Sequence, residues 1–333
     1  MSSSEQTNYY PLFDYIRAIA AIGIFFAHSG TLISADAGNF CVQVFFALSG
    51  YLIGGILLRS KPDDLPRFYF NRSFRIWIPY AVAIGILFAA TAAKQGLQDT
   101  KIFEFFVYMV TFVYNWFGPP QLATAREHMP LHGTGNHFWS ICVEEQFYLL
   151  APLLIMLVRR WVVMAILAGL VVLNFVLPHD FASIALGVLL AIFGRERSVA
   201  IAAASSALVI AVAFPYPVWA PFLAVSIIAA CSMQGSQTRL GRIVGGASFP
   251  FYLNHWIGLF AINPLVRYGL PHWSAVAIAF LISSSFSLIH FALIDSWIAK
   301  NRERFFTQRR GAMLLVAGLA MIATGLATAI NVW

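Results

Sequence analysis

Asp14-Tyr15-Ile16-Arg17, the unbroken apolar run Ala18–Ala27, then His28-Ser29 is the stretch whose reading decides the fold. It has the length and apolarity of a membrane helix, yet carries an arginine and a histidine. Ionisable side chains at membrane depth are costly, so they mark functional candidates or paired structural groups. At 1.5 Å rise per residue, Arg17 and His28 lie roughly 16 Å apart along such a helix. Arg17 then falls near one face of the bilayer, and His28 deep within it or near the other. The ordinary alternative is a snorkelling Arg17 and a hydrogen-bonded structural His28.

The rest of the chain agrees with a membrane reading. Of 333 residues, 60% are hydrophobic and 11% charged, against about 25% charged in soluble domains. The net charge of +7 is read as loop sidedness and not as nucleic-acid binding. Cys41, Cys142 and Cys231 lie in separate apolar runs and read as packing residues. Met1–Asn8 is polar and lacks a basic n-region, so no cleaved signal is expected. Runs able to cross about 30 Å of hydrocarbon are 12–33, 39–58, 73–93, 138–158, 161–178, 180–194, 198–214, 216–233, 247–268, 273–298 and 311–331.

A further run, 102–117, decides orientation. If it does not cross and the N-terminus is cytoplasmic, all but four of the 21 Lys and Arg (Lys94, Lys101, Arg126 and Arg267) fall inside. If it crosses, every later loop flips and the majority falls outside. The positive-inside rule selects the first arrangement, with 102–117 re-entrant or interfacial and 94–137 external. That external region holds Arg126, Glu127, His128, His132 and His137. Pro130 interrupts the histidines and no ligand set completes them, so no metal is expected. A polar loop that meets a hydrophilic substrate is the better reading.

Four other places break the apolar pattern. Phe45-Phe46-Ala47-Leu48-Ser49-Gly50-Tyr51-Leu52-Ile53 carries small residues suited to close helix approach. Arg72-Ser73-Phe74-Arg75 puts two guanidiniums on one helix face, serving as topology anchors or as a phosphate clamp. Trp139-Ser140-Ile141-Cys142-Val143-Glu144-Glu145-Gln146-Phe147-Tyr148 opens a span with two carboxylates. They point about 100° apart, and Glu144 is taken as the inward one. Ser248-Phe249-Pro250-Phe251-Tyr252-Leu253-Asn254-His255 places a second histidine inside a span.

In order and content these motifs resemble the acyltransferase-3 family of integral membrane acyltransferases, along most of 9–300. Asp14, Arg17 and His28 are similar to its Asp-x-x-Arg with a histidine eleven residues on. Phe45–Ile53, Arg72 with Arg75, Trp139–Tyr148, and Ser248 with Tyr252–His255 resemble its other blocks. Where the family often ends its last core span in Glu-x-Pro, this chain has Asp295-Ser296-Trp297. The resemblance implies an all-α polytopic bundle of ten core transmembrane helices. Here 1–310 is the membrane acyltransferase domain and 311–333 an additional C-terminal helix. The extracytoplasmic esterase-like domain of some members is expected to be absent.

The resemblance further implies acyl transfer, usually of acetyl, from cytoplasmic acyl-CoA to a carbohydrate hydroxyl on an exopolysaccharide, O-antigen or lipid-linked glycan. The implied setting is a bacterial inner membrane, so the expected partners are membrane lipid and a carbohydrate acceptor. His28 and Glu144 are then the catalytic candidates, with His28 as general base or transient acyl carrier. Arg72, Arg75 and Arg17 hold the donor. Asp14, Ser49, Trp139, Glu145, Tyr252 and His255 bind or orient substrate. The rival class is a glycan or lipid transporter or flippase that uses buried His and Glu for proton coupling; no internal repeat supports it. A membrane scaffold without catalysis is the remaining alternative.

The orientation is testable. Single cysteines at Arg195 and Arg126 in a cysteine-free background are expected to label from opposite sides of the membrane. Labelling from the same side contradicts the charge argument and the non-spanning assignment of 102–117.

Overall fold

The structure, a computed structural model, describes residues 9–194 and 197–332. Met1–Asn8 and Arg195, used above for processing and orientation, lie outside them. The chain is all-α, with no strand among the described residues. Its helices are α1 Pro11–His28, α2 Ala35–Leu57, α3 Leu65–Lys94, α4 Thr100–Val110, α5 Tyr114–Phe117, α6 Trp139–Leu157 and α7 Arg160–Leu173. They continue as α8 Phe181–Phe193, α9 Arg197–Ala213, α10 Ala220–Cys231, α11 Arg239–Arg267, α12 His272–His290, α13 Ser296–Phe305 and α14 Gln308–Val332.

Every apolar run of the sequence reading has its helix, but several ends move for local reasons. The run 12–33 stops as a helix at His28, because the Ser29 hydroxyl donates to the Phe26 carbonyl (2.8 Å) and the chain turns. Ser34 then caps α2, accepting from the Ala37 amide at 3.2 Å. α11 starts at Arg239 and not at 247, since the Thr238 hydroxyl accepts from the Gly241 amide at 2.9 Å. Arg239 and Arg242 are therefore in a first helical turn, not in a loop. Likewise α3 begins eight residues before the apolar run, so Arg67, Arg72 and Arg75 are helical. The run 273–298 is broken by a π-helical turn at Phe291–Asp295, which separates α12 from α13.

Among the described residues, six helical stretches are long and apolar enough to cross a membrane: Pro11–His28, Ala35–Leu57, Pro62–Lys94, Pro130–Leu157, His272–Phe305 and Gln308–Ala329. Arg160–Leu173, Phe181–Phe193, Ala204–Ala213 and Ala220–Cys231 are shorter apolar helices. Helix length by itself thus does not set the count at ten. In the 102–117 region, α4 has 11 residues, about 16 Å of helix. It ends where Phe112 takes a positive φ of 57°.

The chain packs as two compact units, one made of the residues up to Arg59 with Arg159–Phe291, the other of Ser60–Val158 with Ala292 onward. In the first, α1 packs between α2 and α11, α2 packs on α8 and α10, and α11 packs on α12. One apolar cluster joins Phe13, Leu48 and Tyr51 to Val225 and Ile228. Another joins Ala21 and Phe25 to Phe251, Ala275 and Ala279. In the second unit α3 packs on α14 and α6. Gly311, Gly318 and Gly325 form a seven-residue seam on α14, and a Cβ at Gly311 would stand 2.0 Å from the Pro66 carbonyl oxygen.

The α2–α8 contact is a backbone-on-backbone approach of the kind small residues permit. A Cβ on Gly187 would lie 2.2 Å from the Ala47 carbonyl oxygen, and one on Gly50 2.2 Å from that of Ile184. Gly187→Val is therefore expected to destabilise the protein by about 1–3 kcal/mol through overpacking, read as a lowered Tm in detergent. Gly169→Val is the control, because nothing lies within 4 Å of a Cβ there. Equal Tm values for the two variants contradict the close approach.

Candidate active-site residues

In the first unit α1 and α11 bring two histidines together. His28 Nδ1 lies 2.8 Å from His255 Nε2. The ring centroids are 5.0 Å apart and the planes 18° from parallel, so the nitrogen edges face one another. His28 is the last residue of α1 and keeps accessible surface, whereas His255 is 1% exposed in the middle of α11. Burial of a polar ring is costly unless its nitrogens are satisfied. The His255 Nδ1 is 2.8 Å from the Tyr252 carbonyl oxygen, and the Ser283 hydroxyl of α12 donates to the His255 carbonyl at 2.8 Å. Tyr252, an orienting candidate from sequence, meets His255 through its backbone carbonyl.

On the residue just before His255, the Asn254 side-chain amide nitrogen contacts the Pro250 carbonyl (2.9 Å) and His290 Nδ1 (3.0 Å). His290 and Ser283 were absent from the sequence-derived set. His290 had a signal, an ionisable residue inside an apolar run; Ser283 had none beyond polarity.

Elsewhere in this unit Asp14 is buried and Arg17 half-buried on α1. They form an i,i+3 pair at 3.5 Å. The Tyr9 hydroxyl also donates to Asp14, and the carboxyl sits against Gly245 of α11, where a Cβ would meet it at 2.5 Å. The arrangement fastens α1 to α11. Ser49 is half-buried on α2, beside the Gly50 contact with α8.

The second unit holds the remaining candidates. The Arg72 guanidinium lies over two rings, 5.9 Å from the Phe68 centroid and 5.8 Å from that of Tyr148, a cation–π arrangement. Arg75, one turn on, is exposed and within electrostatic reach of Asp295. The two arginines expected to act as one clamp thus have different surroundings.

The carboxylates also depart from expectation. Glu145 is 2% exposed, and the Trp77 indole donates to its Oε2 at 2.7 Å. Its Oε1 has no hydrogen-bond partner among the described residues. Arg72 and Glu144 lie within electrostatic reach of it. Glu144, expected to be the inward residue, is half-buried. The 100° offset between neighbours was read correctly, but which of them faces inward depends on how α6 is rotated against α3. Trp139, the first residue of α6, is half-buried.

In the segment 118–138, His128 Nδ1 lies 2.5 Å from the carboxylate of Asp99, the residue before α4. This hydrogen bond holds the Asp99 carboxyl below its ordinary range. His132 faces Glu127 at 3.3 Å, and His137 is buried. Among the described residues no group of three or more His, Cys, Asp or Glu is placed to hold a metal ion.

Comparison with known proteins gives these residues their context. The peptidoglycan O-acetyltransferase OatA of Listeria monocytogenes serovar 1/2a is 31% identical over 164 residues, 46% of this chain and 25% of that protein. The O-acetyltransferase OatA of Staphylococcus aureus strain NCTC 8325 is 30% identical over 151 residues, 44% of this chain and 25% of that protein. A putative O-acetyltransferase of S. aureus strain COL is 28% identical over 158 residues, 45% of this chain and 25% of that protein. The matched region thus spans about a quarter of the length of these relatives. No solved structure matches the chain. The family model Acyl_transf_3, described as an acyltransferase domain, matches residues 10–294, a stretch that includes every candidate residue above; the chain belongs to the acyltransferase-3 family.

Proposed function

We propose that this protein is a membrane O-acyltransferase that moves an acetyl group from acetyl-CoA to a carbohydrate hydroxyl. The observation that carries the reading is the His28–His255 pair: an accessible imidazole held by a buried one, in a chain of an acyltransferase family. A lone structural histidine needs no second histidine aligned on it. Imidazole is also the side chain best matched to proton transfer near neutral pH. The names of the relatives support an O-acetyl product.

In the proposed reaction His28 takes the proton of the acceptor hydroxyl as that oxygen attacks the thioester carbonyl. The C–S bond breaks, and the proton passes to the departing thiolate, which leaves as CoA thiol. In the second unit Arg75 is the stronger candidate for a CoA phosphate, because its guanidinium is exposed. Arg72, laid on Phe68 and Tyr148, supports packing as well as charge. Glu145 joins Glu144 as a candidate for polarising substrate. The proposed setting is the bacterial inner membrane with a cytoplasmic N-terminus. There α4, too short to span about 30 Å, lies in the outer interface or re-enters, and α14 is an added helix on the acyltransferase domain.

Three measurements test the reading. Purified protein in lipid nanodiscs, given radiolabelled acetyl-CoA and a panel of peptidoglycan fragments, O-polysaccharide and lipid-linked glycan, is expected to label at least one glycan as an alkali-labile ester. Glycan movement across proteoliposomes with no labelled ester would instead establish a transporter.

His28→Gln is expected to lose about 10²- to 10⁴-fold in rate, the usual contribution of general-base catalysis, while still binding CoA. Retention of more than about a tenth of the rate removes His28 from the chemistry.

Arg75→Ala is expected to weaken CoA binding about 10- to 150-fold, the effect of one charge-assisted contact of about 1.5–3 kcal/mol, with partial rescue by lysine. Arg72→Ala is expected to lower Tm as well. Unchanged CoA affinity in folded Arg75→Ala protein reduces Arg75 to a topology anchor.

A further inference from the structure

The contacts around His255 allow one arrangement of protons when both rings are neutral. We infer that His255 is the positioning residue of His28: it holds His28 in the tautomer with its proton on Nδ1, so that the lone pair that takes the acceptor proton is on Nε2. The inference rests on the acyl-transfer reading above.

A carbonyl oxygen only accepts hydrogen bonds. The 2.8 Å contact between the Tyr252 carbonyl and His255 Nδ1 therefore places an N–H on that nitrogen. A neutral imidazole carries one N–H, so His255 Nε2 bears a lone pair. That nitrogen is 2.8 Å from His28 Nδ1, which must then donate. The second nitrogen of His28, Nε2, is left as the basic one. The in-line ring geometry, 5.0 Å between centroids with planes 18° apart, suits a hydrogen bond of this kind.

The anchor is firm because each part of it is held. Tyr252 is three residues before His255 on the same helix, so its carbonyl lies within reach of the His255 ring. The Ser283 hydroxyl ties that turn to α12, and Gly258 lets the two helices meet, since a Cβ there would stand 2.0 Å from the Ala279 carbonyl oxygen. His255 itself is 1% exposed.

In the reaction the proton leaves the hydroxyl oxygen, resides on His28 Nε2, and passes to the CoA sulfur. The Nδ1 proton stays where it is throughout, and His255 neither gains nor loses one. While His28 is cationic, its bond to His255 is charge-assisted and stronger than in the resting state. A neutral orienter stabilises that cation less than a carboxylate would, which favours return of the proton to the leaving thiolate.

The test uses the full chain in nanodiscs with ¹⁵N-labelled histidine. Solid-state NMR distinguishes the two tautomers by their nitrogen shifts, and the His28 signals are those missing from His28→Gln. The expected result is an Nδ1–H tautomer for His28 in the wild type. It should be lost in His255→Phe, which has no acceptor, and retained in part in His255→Gln. In release of CoA thiol from acetyl-CoA, His255→Phe is expected to lower kcat about 10- to 100-fold with KM changed little. That is less than the roughly 10⁴-fold attached to a charged orienter, and His255→Gln should recover part of it. An Nε2–H tautomer in the wild type overturns the inference, and decides the matter by itself if His255→Phe does not fold. So does unchanged kcat in His255→Phe where His28→Gln is inactive. An active His28→Gln instead removes the acyl-transfer role of His28 itself.

Discussion

A ring nitrogen inside an apolar helix bundle needs a partner, and that requirement organises the first unit. His255 meets it on one side with the carbonyl of Tyr252 and on the other with His28. These two bonds align a buried ring with an accessible one and leave little rotational freedom to either. The positions of α1, α11 and α12 follow from making the alignment possible: α11 packs on both neighbours, and small residues allow the backbones to approach. In lipid there is no hydrophobic force between helices, so packing and polar contacts of this sort are what hold them.

The same economy is visible in the second unit, with carboxylate and guanidinium in place of imidazole. Glu145 is buried against the Trp77 indole, and Arg72 lies on aromatic faces within reach of that carboxylate. Such groups are costly to isolate at low dielectric and are retained when paired. Arg75, exposed and within electrostatic reach of Asp295, is arranged differently although it shares the same helix face.

Much of this was legible in the order of residues. Hydropathy located every apolar helix, because apolar length is a local property of the chain. The helical register of Arg72 and Arg75 followed from three-residue spacing alone. His28 and His255 stood out as ionisable residues in apolar runs, and His290 answers to the same rule. Helix ends were less legible. The stop at His28 depends on one hydroxyl, that of Ser29, and the early start of α11 on another, that of Thr238.

What the sequence by itself determined is the class of molecule: an all-α membrane chain of the acyltransferase-3 family, with its ionisable residues confined to a few named positions. These are consequences of composition, spacing and motif, which need no third dimension. Only the tertiary structure decided which partners those residues take. Residues 28 and 255 are far apart in the chain, and their meeting depends on how α1 packs on α11. Glu145 rather than Glu144 is buried because α6 is rotated that way against α3, and an offset of 100° between neighbours is indifferent to which is chosen. The difference between Arg72 and Arg75 arises likewise, from rings on α3 and α6 that no linear pattern places beneath one guanidinium and not the other.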